Sequence, residues 1–212
     1  MTANFCEFPY DTKKSNSCKN KNFYIAEIDD AVFNRIKGKS YKTDCTLPLK
    51  ELRYLRLLHK DINGVERQGE MICNVCIAEA LTDIFQKLYE NNYPIEKIRL
   101  IDEYDADDEK SMRDNNSSCF NFRFISHTKK ISKHGLGLAV DINPLYNPYI
   151  KRVDGKLILE PSTAAQYMDR TKNFPYKIEK NSIICELFAA HGFEWGGNWE
   201  DRKDYQHFEL TI

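Results

Sequence analysis

No apolar run in this chain approaches the roughly 20 residues that a membrane-spanning helix needs, so no segment reads as transmembrane. A surplus of one charge is equally absent, because 31 Lys and Arg stand against 32 Asp and Glu. Without a global field there is no reason to expect nucleic acid or an anionic membrane as partner. Residues 1–22 contain no hydrophobic stretch, so no export signal is visible. They are Lys-, Asn- and Ser-rich and aperiodic, which is the composition of a flexible leader. Seven cysteines in 212 residues are too few, and odd in number, for a disulfide scaffold. Cys73-Asn74-Val75-Cys76 has the spacing of zinc knuckles and redox motifs but lacks a second Cys or His pair. Cys76 also opens an amphipathic stretch, so buried thiols are expected there. No Gly-x-Ser-x-Gly elbow exists, which leaves a serine hydrolase without support. Gly38-Lys39-Ser40 lacks the upstream glycine of a phosphate loop.

What is present suits a folded chain, with 42% hydrophobic and 12% aromatic residues. From Phe23 onward no second break in composition occurs, so residues 23–212 read as one domain without internal repeats. Ile77, Leu81, Ile84, Phe85 and Leu88 fall on one helical face before Pro94. Lys97 to Asp102 reads as a short strand, and the acidic run Asp102 to Glu109 as a solvated turn. That run lacks the glycine and terminal Glu of a calcium loop. Phe120, Phe122 and Phe124 alternate with Asn121 and Arg123, which predicts a strand with a phenyl face inward and Arg123 on the other face. Asp154-Gly155 signals a hairpin. Asn181 or Ser182 can cap a helix through Ile184, Leu187 and Phe188 that ends at Gly192. Tyr205 to Thr211 alternates, with Phe208 and Leu210 on one face and His207 and Glu209 on the other. Helices first, then strands mixed with loops, indicate an α+β fold with an antiparallel sheet.

The chemistry concentrates in two short stretches, Ser132-Lys133-His134-Gly135-Leu136-Gly137-Leu138-Ala139-Val140-Asp141 and Asp204-Tyr205-Gln206-His207. Two imidazoles and one carboxylate around Zn²⁺ leave one coordination position open, the pattern of a catalytic zinc site. The spare acid, Asp204, can take a proton from a water there. Gly137 and Ala139 line the face that carries Asp141 with the smallest residues available, which leaves room for an ion and a substrate. His134 and Asp141 are an odd seven positions apart, so an unbroken strand would put them on opposite faces. Both reach one ion only if His134 sits in a preceding loop and Gly135 lets the backbone turn. Glu209 is placed either to fix the tautomer of a ligand imidazole or as an exposed charge. Taken singly, each residue has a plainer explanation; Asp141-Ile142-Asn143-Pro144 alone would pass as a turn. His59, His127 and His191 have no partner at ligand spacing.

At these residues the chain resembles the VanY-type zinc peptidases, which comprise D-alanyl-D-alanine carboxypeptidases and L-alanyl-D-glutamate endopeptidases of bacterial cell walls. The resemblance rests on Ser132-x-His134-x-x-Gly137-x-Ala139-x-Asp141 and on the acid-x-x-His that ends in His207-Phe208. It extends through Asp141 to Tyr149, Trp195-Gly196-Gly197, Ile101 to Tyr104, and Arg123. It implies a hedgehog/D,D-peptidase fold, zinc held by His134, Asp141 and His207, and Asp204 as general base. Arg123 matches an arginine near the scissile carbonyl, and Ser132 a serine at the substrate pocket. Several relatives carry Glu where this chain has Asp204. The expected partners are peptidoglycan peptides, in the cell envelope or outside the cell, and the chain is expected to act as a monomer. Two other readings compete: a non-catalytic, zinc-organised cell-wall binding module, and a thiol-dependent protein built on Cys73 and Cys76.

Overall fold

The structure, a computed structural model, describes residues 22–125 and 128–211. Apart from Asn22, the expected leader lies outside the described residues, as does His127. The chain opens with β1 (Tyr24–Glu27) and α1 (Asp30–Ile36), capped by Asp29, whose carboxylate accepts the Val32 N–H at 2.8 Å. β2 (Leu52–Lys60) and β3 (Glu66–Asn74) form a long antiparallel hairpin, and β1 pairs with the other edge of β2. Both faces of this hairpin are covered. Leu55, Leu57, Met71 and Cys73 join one buried cluster, while Leu52, Tyr54 and Ile72 join a second with Ile36, Leu100, Phe120 and Phe122.

Helix α2 (Val75–Glu90) buries the face formed by Ile77, Ala78, Leu81, Ile84, Phe85 and Leu88 in the first cluster. Asn74 caps it by accepting the Cys76 N–H at 3.0 Å. Next come β4 (Lys97–Ile98), α3 (Asp108–Arg113) and β5 (Asn116–Ser117), with β4 and β5 paired in parallel. Then follow β6 (Ala139–Asp141), β7 (Tyr149–Val153), β8 (Lys156–Glu160), α4 (Ile183–Ala190), β9 (Phe193–Trp195), β10 (Lys203–Asp204) and β11 (His207–Leu210). Two small antiparallel sheets result, in the orders β6-β11-β9 and β10-β7-β8. On the first, Phe208 stacks against Phe188 of α4 with ring centroids 4.1 Å apart, and Phe193 meets Phe188 edge-on at 5.2 Å. His191, capping α4, reaches Asp83 of α2 at 2.9 Å. Antiparallel sheets with few helices are compatible with the α+β class.

Several local expectations need correction. The strand at 97–102 stops at Ile98, because residues 101–104 form a 3-10 turn. Asp102 is buried rather than solvated and accepts the Ser40 N–H at 2.9 Å and the Ser40 hydroxyl at 3.0 Å. Lys39 donates to the Asp102 carbonyl at 2.9 Å, so the Gly38-Lys39-Ser40 segment serves packing. Glu103 and Asp105 belong to that turn and its end, and the last three acids open α3, where Asp107 caps the helix and Asp108 and Glu109 stand at its positive end. The phenylalanine run forms no regular strand: its N–H groups donate in turn to Ile72, His134 and Ser40 carbonyls rather than to one neighbour. Phe120 and Phe122 are buried, but Phe124 is exposed. Cys73 is a buried free thiol, whereas Cys76 is disulfide-bonded. The Asp154-Gly155 hairpin forms as expected, with both residues at positive φ.

Phe188 ties the helix to the sheet that carries His207. Phe188→Ala should cost about 3–5 kcal/mol, the range for a fully buried phenyl, in urea unfolding followed by circular dichroism. A cost below about 1 kcal/mol would mean that α4 contributes little to that sheet.

Candidate metal centre

Asp141 and His207 meet because β6 and β11 pair antiparallel with these two residues directly opposite. Opposed residues in such a pair project from one face about 5 Å apart. His134 comes from a 3-10 turn, His134–Leu136, which precedes the strand and so removes the odd-spacing conflict. The turning glycine differs from the expected one. Gly137 takes φ +67°, and a Cβ there would lie 2.7 Å from the Asn74 nitrogen, whose N–H donates to the Gly137 carbonyl. Gly135 instead permits close approach: a Cβ there would lie 2.7 Å from the Arg123 carbonyl oxygen. Ser132 stands at the base of the turn and accepts the Gly135 N–H at 2.9 Å, so its hydroxyl oxygen fixes the loop that presents His134.

The three side chains bring His134 Nε2 within 3.2 Å of His207 Nδ1 and 3.2 Å of Asp141 Oδ2, and His207 Nδ1 within 3.0 Å of Asp141 Oδ1. Two of these distances end on different oxygens of the Asp141 carboxylate; one ligand atom from each of the three residues lies within 4.8 Å of the others, close enough for the three to hold a single ion. The far nitrogen of each ring is already engaged. His134 Nδ1 lies 2.8 Å from the Cys119 carbonyl, and His207 Nε2 lies 3.0 Å from Glu209 Oε2. A carbonyl can only accept, so His134 donates from Nδ1 and leaves Nε2 facing the triangle. Glu209 thus fixes the tautomer of His207, one of the two roles open to it in the sequence. Among the described residues, no other group of His, Cys, Asp or Glu gathers in a way that could hold a metal.

The electrostatics agree with a cation site. Burial would raise the Asp141 carboxyl, but His134 and His207 hold it well below the usual carboxylate range. Burial opposes charge on His207, yet hydrogen bonds to Asp141 and Glu209 push its pKa up to about 10. Without metal, this ring is an imidazolium between two carboxylates, and an ion would replace its Nδ1 proton.

Asp204 follows Lys203 in β10, opposite Tyr149 of β7. Its Oδ1 is shut away from water with no hydrogen-bond partner among the described residues. Burial pushes its pKa up to about 7, against the opposing influence of His207 and with the help of Asp141 and Glu160. Gly196 makes room for it, since a Cβ there would lie 2.8 Å from the Asp204 Cβ and 2.7 Å from its carbonyl oxygen. Arg123 pairs through Nε with Asp108 at 3.2 Å, while its buried Nη1 has no partner among the described residues. Three contributions had no legible signal in the sequence. One is the Cys119 carbonyl, which no side-chain pattern betrays. Another is the Gly196 clearance. The last is Trp199, whose ring lies 5.4 Å from that of His207 and beneath the Arg202 guanidinium at 4.2 Å.

Residues 126–210 match a family model described as D-alanyl-D-alanine carboxypeptidase. That stretch includes His134, Asp141, Asp204 and His207 and leaves out Arg123. The peptidoglycan L-alanyl-D-glutamate endopeptidase CwlK of Bacillus subtilis (strain 168) is 32% identical over 79 residues, which is 37% of this chain and 39% of that protein. The chain therefore spans well under half of that curated relative. No solved structure matches.

Two outcomes are expected in zinc titration calorimetry at pH 7. Binding should release about one proton, read from the dependence of the heat on buffer ionisation enthalpy, because His207 is protonated below about 10. Glu209→Gln should weaken zinc binding roughly 10- to 100-fold. Proton-neutral binding, or an unchanged affinity, would contradict this account of His207.

Proposed function

We propose that this chain, whose residues 126–210 match a family model described as D-alanyl-D-alanine carboxypeptidase, is a zinc-dependent peptidase of hedgehog/D,D-peptidase-like fold. Its substrates are peptide bonds of peptidoglycan stem peptides, of the D-Ala-D-Ala or L-Ala-D-Glu type. One observation carries the reading. Ligand atoms of His134, Asp141 and His207 all lie within 4.8 Å of one another, and the carboxylate of Asp204, near enough to interact electrostatically with His207 and Asp141, hydrogen-bonds to none of them. When bound, zinc supplies Lewis acidity and brings the pKa of a coordinated water down toward about 7.

The chain's own residues supply the rest. Asp204 accepts the proton of the attacking water at its carboxylate and later delivers it to the leaving amine. Arg123 offers its unpaired Nη1 to the oxyanion or to a substrate carboxylate, a role suited to a fixed charge with forked donors. Cys119 and Glu209 keep the two imidazoles aimed. Ser132 holds the His134 loop in place at the edge of the substrate pocket. The envelope or the cell exterior is the proposed location, since the proposed substrate lies there. No helix among the described residues is long and apolar enough to cross a membrane.

A non-catalytic binding module is the competing reading, and the state of Asp204 speaks against it. A carboxyl buried without a partner costs stability, and a site that only grips a ligand gains nothing from keeping one. Asp204→Asn should lower hydrolysis of a defined muropeptide by about 10²–10⁴-fold, the share of a general base, while bound zinc stays at one ion per chain. Unchanged product formation, followed by mass spectrometry, would remove Asp204 from the mechanism.

A further inference from the structure

In the sheet β10-β7-β8, β8 is an outer strand, and its far edge pairs with nothing among the described residues. Leu157 and Ile158 on it are 42% and 37% exposed, and Val153 of β7 is 40% exposed. An edge strand with open apolar side chains is a template for another strand unless something blocks it. No proline or glycine interrupts β8, and its only charges stand at the two ends, Lys156 and Glu160.

The turn before β8 decides which backbone groups face outward. Asp154 and Gly155 take φ of +49° and +76°, as in a two-residue type I′ hairpin turn. Such a turn joins the residues on either side of it, Val153 and Lys156, as a hydrogen-bonded pair. Bonded and non-bonded pairs then alternate along an antiparallel ladder. Lys156, Ile158 and Glu160 therefore direct their N–H and C=O groups at Val153, Lys151 and Tyr149. Leu157 and Leu159 turn theirs away from β7, toward the open edge.

The run Lys156-Leu157-Ile158-Leu159-Glu160 is complementary to itself when reversed. A two-fold axis beside Ile158 sets Lys156 opposite Glu160 of a second copy and Leu157 opposite that copy's Leu159. The residues with outward N–H and C=O groups then face one another, and backbone hydrogen bonds close at both positions. Moving the axis to Leu157 would halve those bonds and set Lys156 against an isoleucine. Both charged side chains are available, since neither Lys156 nor Glu160 makes a side-chain hydrogen bond or ion pair among the described residues. Lys151 shares their face and is also unpaired; it stands opposite Ile158 and only diagonal to Glu160. Lys156 of the second copy would stand directly opposite Glu160, the closer of the two cross-strand positions.

We infer that the free edge of β8 is a self-association surface whose partner is a second copy of this chain, paired antiparallel about Ile158. The pairing is isologous and consumes the same edge on both copies, so it closes at two chains. The monomer expected from the sequence gives way to a reversible dimer with one continuous six-stranded sheet. Two five-residue strands make a small contact, so the dimer is weak. Nothing in this inference depends on the peptidase reading.

Sedimentation velocity on the full chain, from about 1 µM to about 1 mM, should show a dimer that dissociates on dilution. Lys156→Glu makes both ends of the edge acidic, and Glu160→Lys makes both ends basic. Each variant alone should therefore dimerise roughly 10- to 100-fold more weakly, because both cross-strand pairs become like-charged. An equimolar mixture of the two variants faces acid with base at both ends and should restore association. The double variant Lys156→Glu/Glu160→Lys should dimerise like the unsubstituted chain. A chain that stays monomeric throughout, a dimer that neither substitution weakens, or a mixture no tighter than its components overturns the inference.

Discussion

The structure depends on two hydrogen bonds made by the wrong sides of two histidines. His134 is anchored by the Cys119 carbonyl and His207 by the Glu209 carboxylate. Each anchor consumes one ring nitrogen and thereby decides which nitrogen is left for a ligand. Remove the anchors, and the imidazoles could rotate away or hydrogen-bond to each other; keep them, and two lone pairs and a carboxylate must face one point. Electron-rich atoms about 3 Å apart repel unless a proton or a cation lies between them. In the metal-free chain that role falls to protons, which explains the high affinity of His207 for its own.

The fold reads as the apparatus that brings these anchors into register. β11 is the central strand of its sheet, so His207 and Glu209 share a face, and the pairing with β6 fixes Asp141 opposite His207. The other face of β11 is apolar and held by Phe188 and Phe193. A slip of one residue would turn His207 into the apolar packing against Phe188 and Phe208 toward the polar site, which makes the register costly to lose. The helix α4 thus acts on the chemistry only through packing.

Much of this was legible in the sequence because it obeys simple periods. The helical face from Ile77 to Leu88, the Asp154-Gly155 turn and the alternation through His207 to Leu210 all follow side-chain spacing. The condition that His134 leave the strand was also legible, from the odd interval to Asp141. Failures came where long-range contacts overrode local pattern. Asp102 looks solvated among other acids but is buried by Ser40, from 62 residues away. The phenylalanine run alternates like a strand, yet its N–H groups find three unrelated carbonyl partners. Gly135 and Gly137 look equivalent in sequence. Only the packing of one against Arg123 and the positive φ of the other separates clearance from turning. The Cys119 carbonyl was invisible for a simpler reason, since every residue has one.

The most direct test compares the metal-free and the zinc-restored chain on one muropeptide, with products identified by mass spectrometry. The account predicts no cleavage after chelation and defined peptide products once one equivalent of zinc is returned. Cleavage by the stripped chain, or silence with one zinc firmly bound, would contradict it.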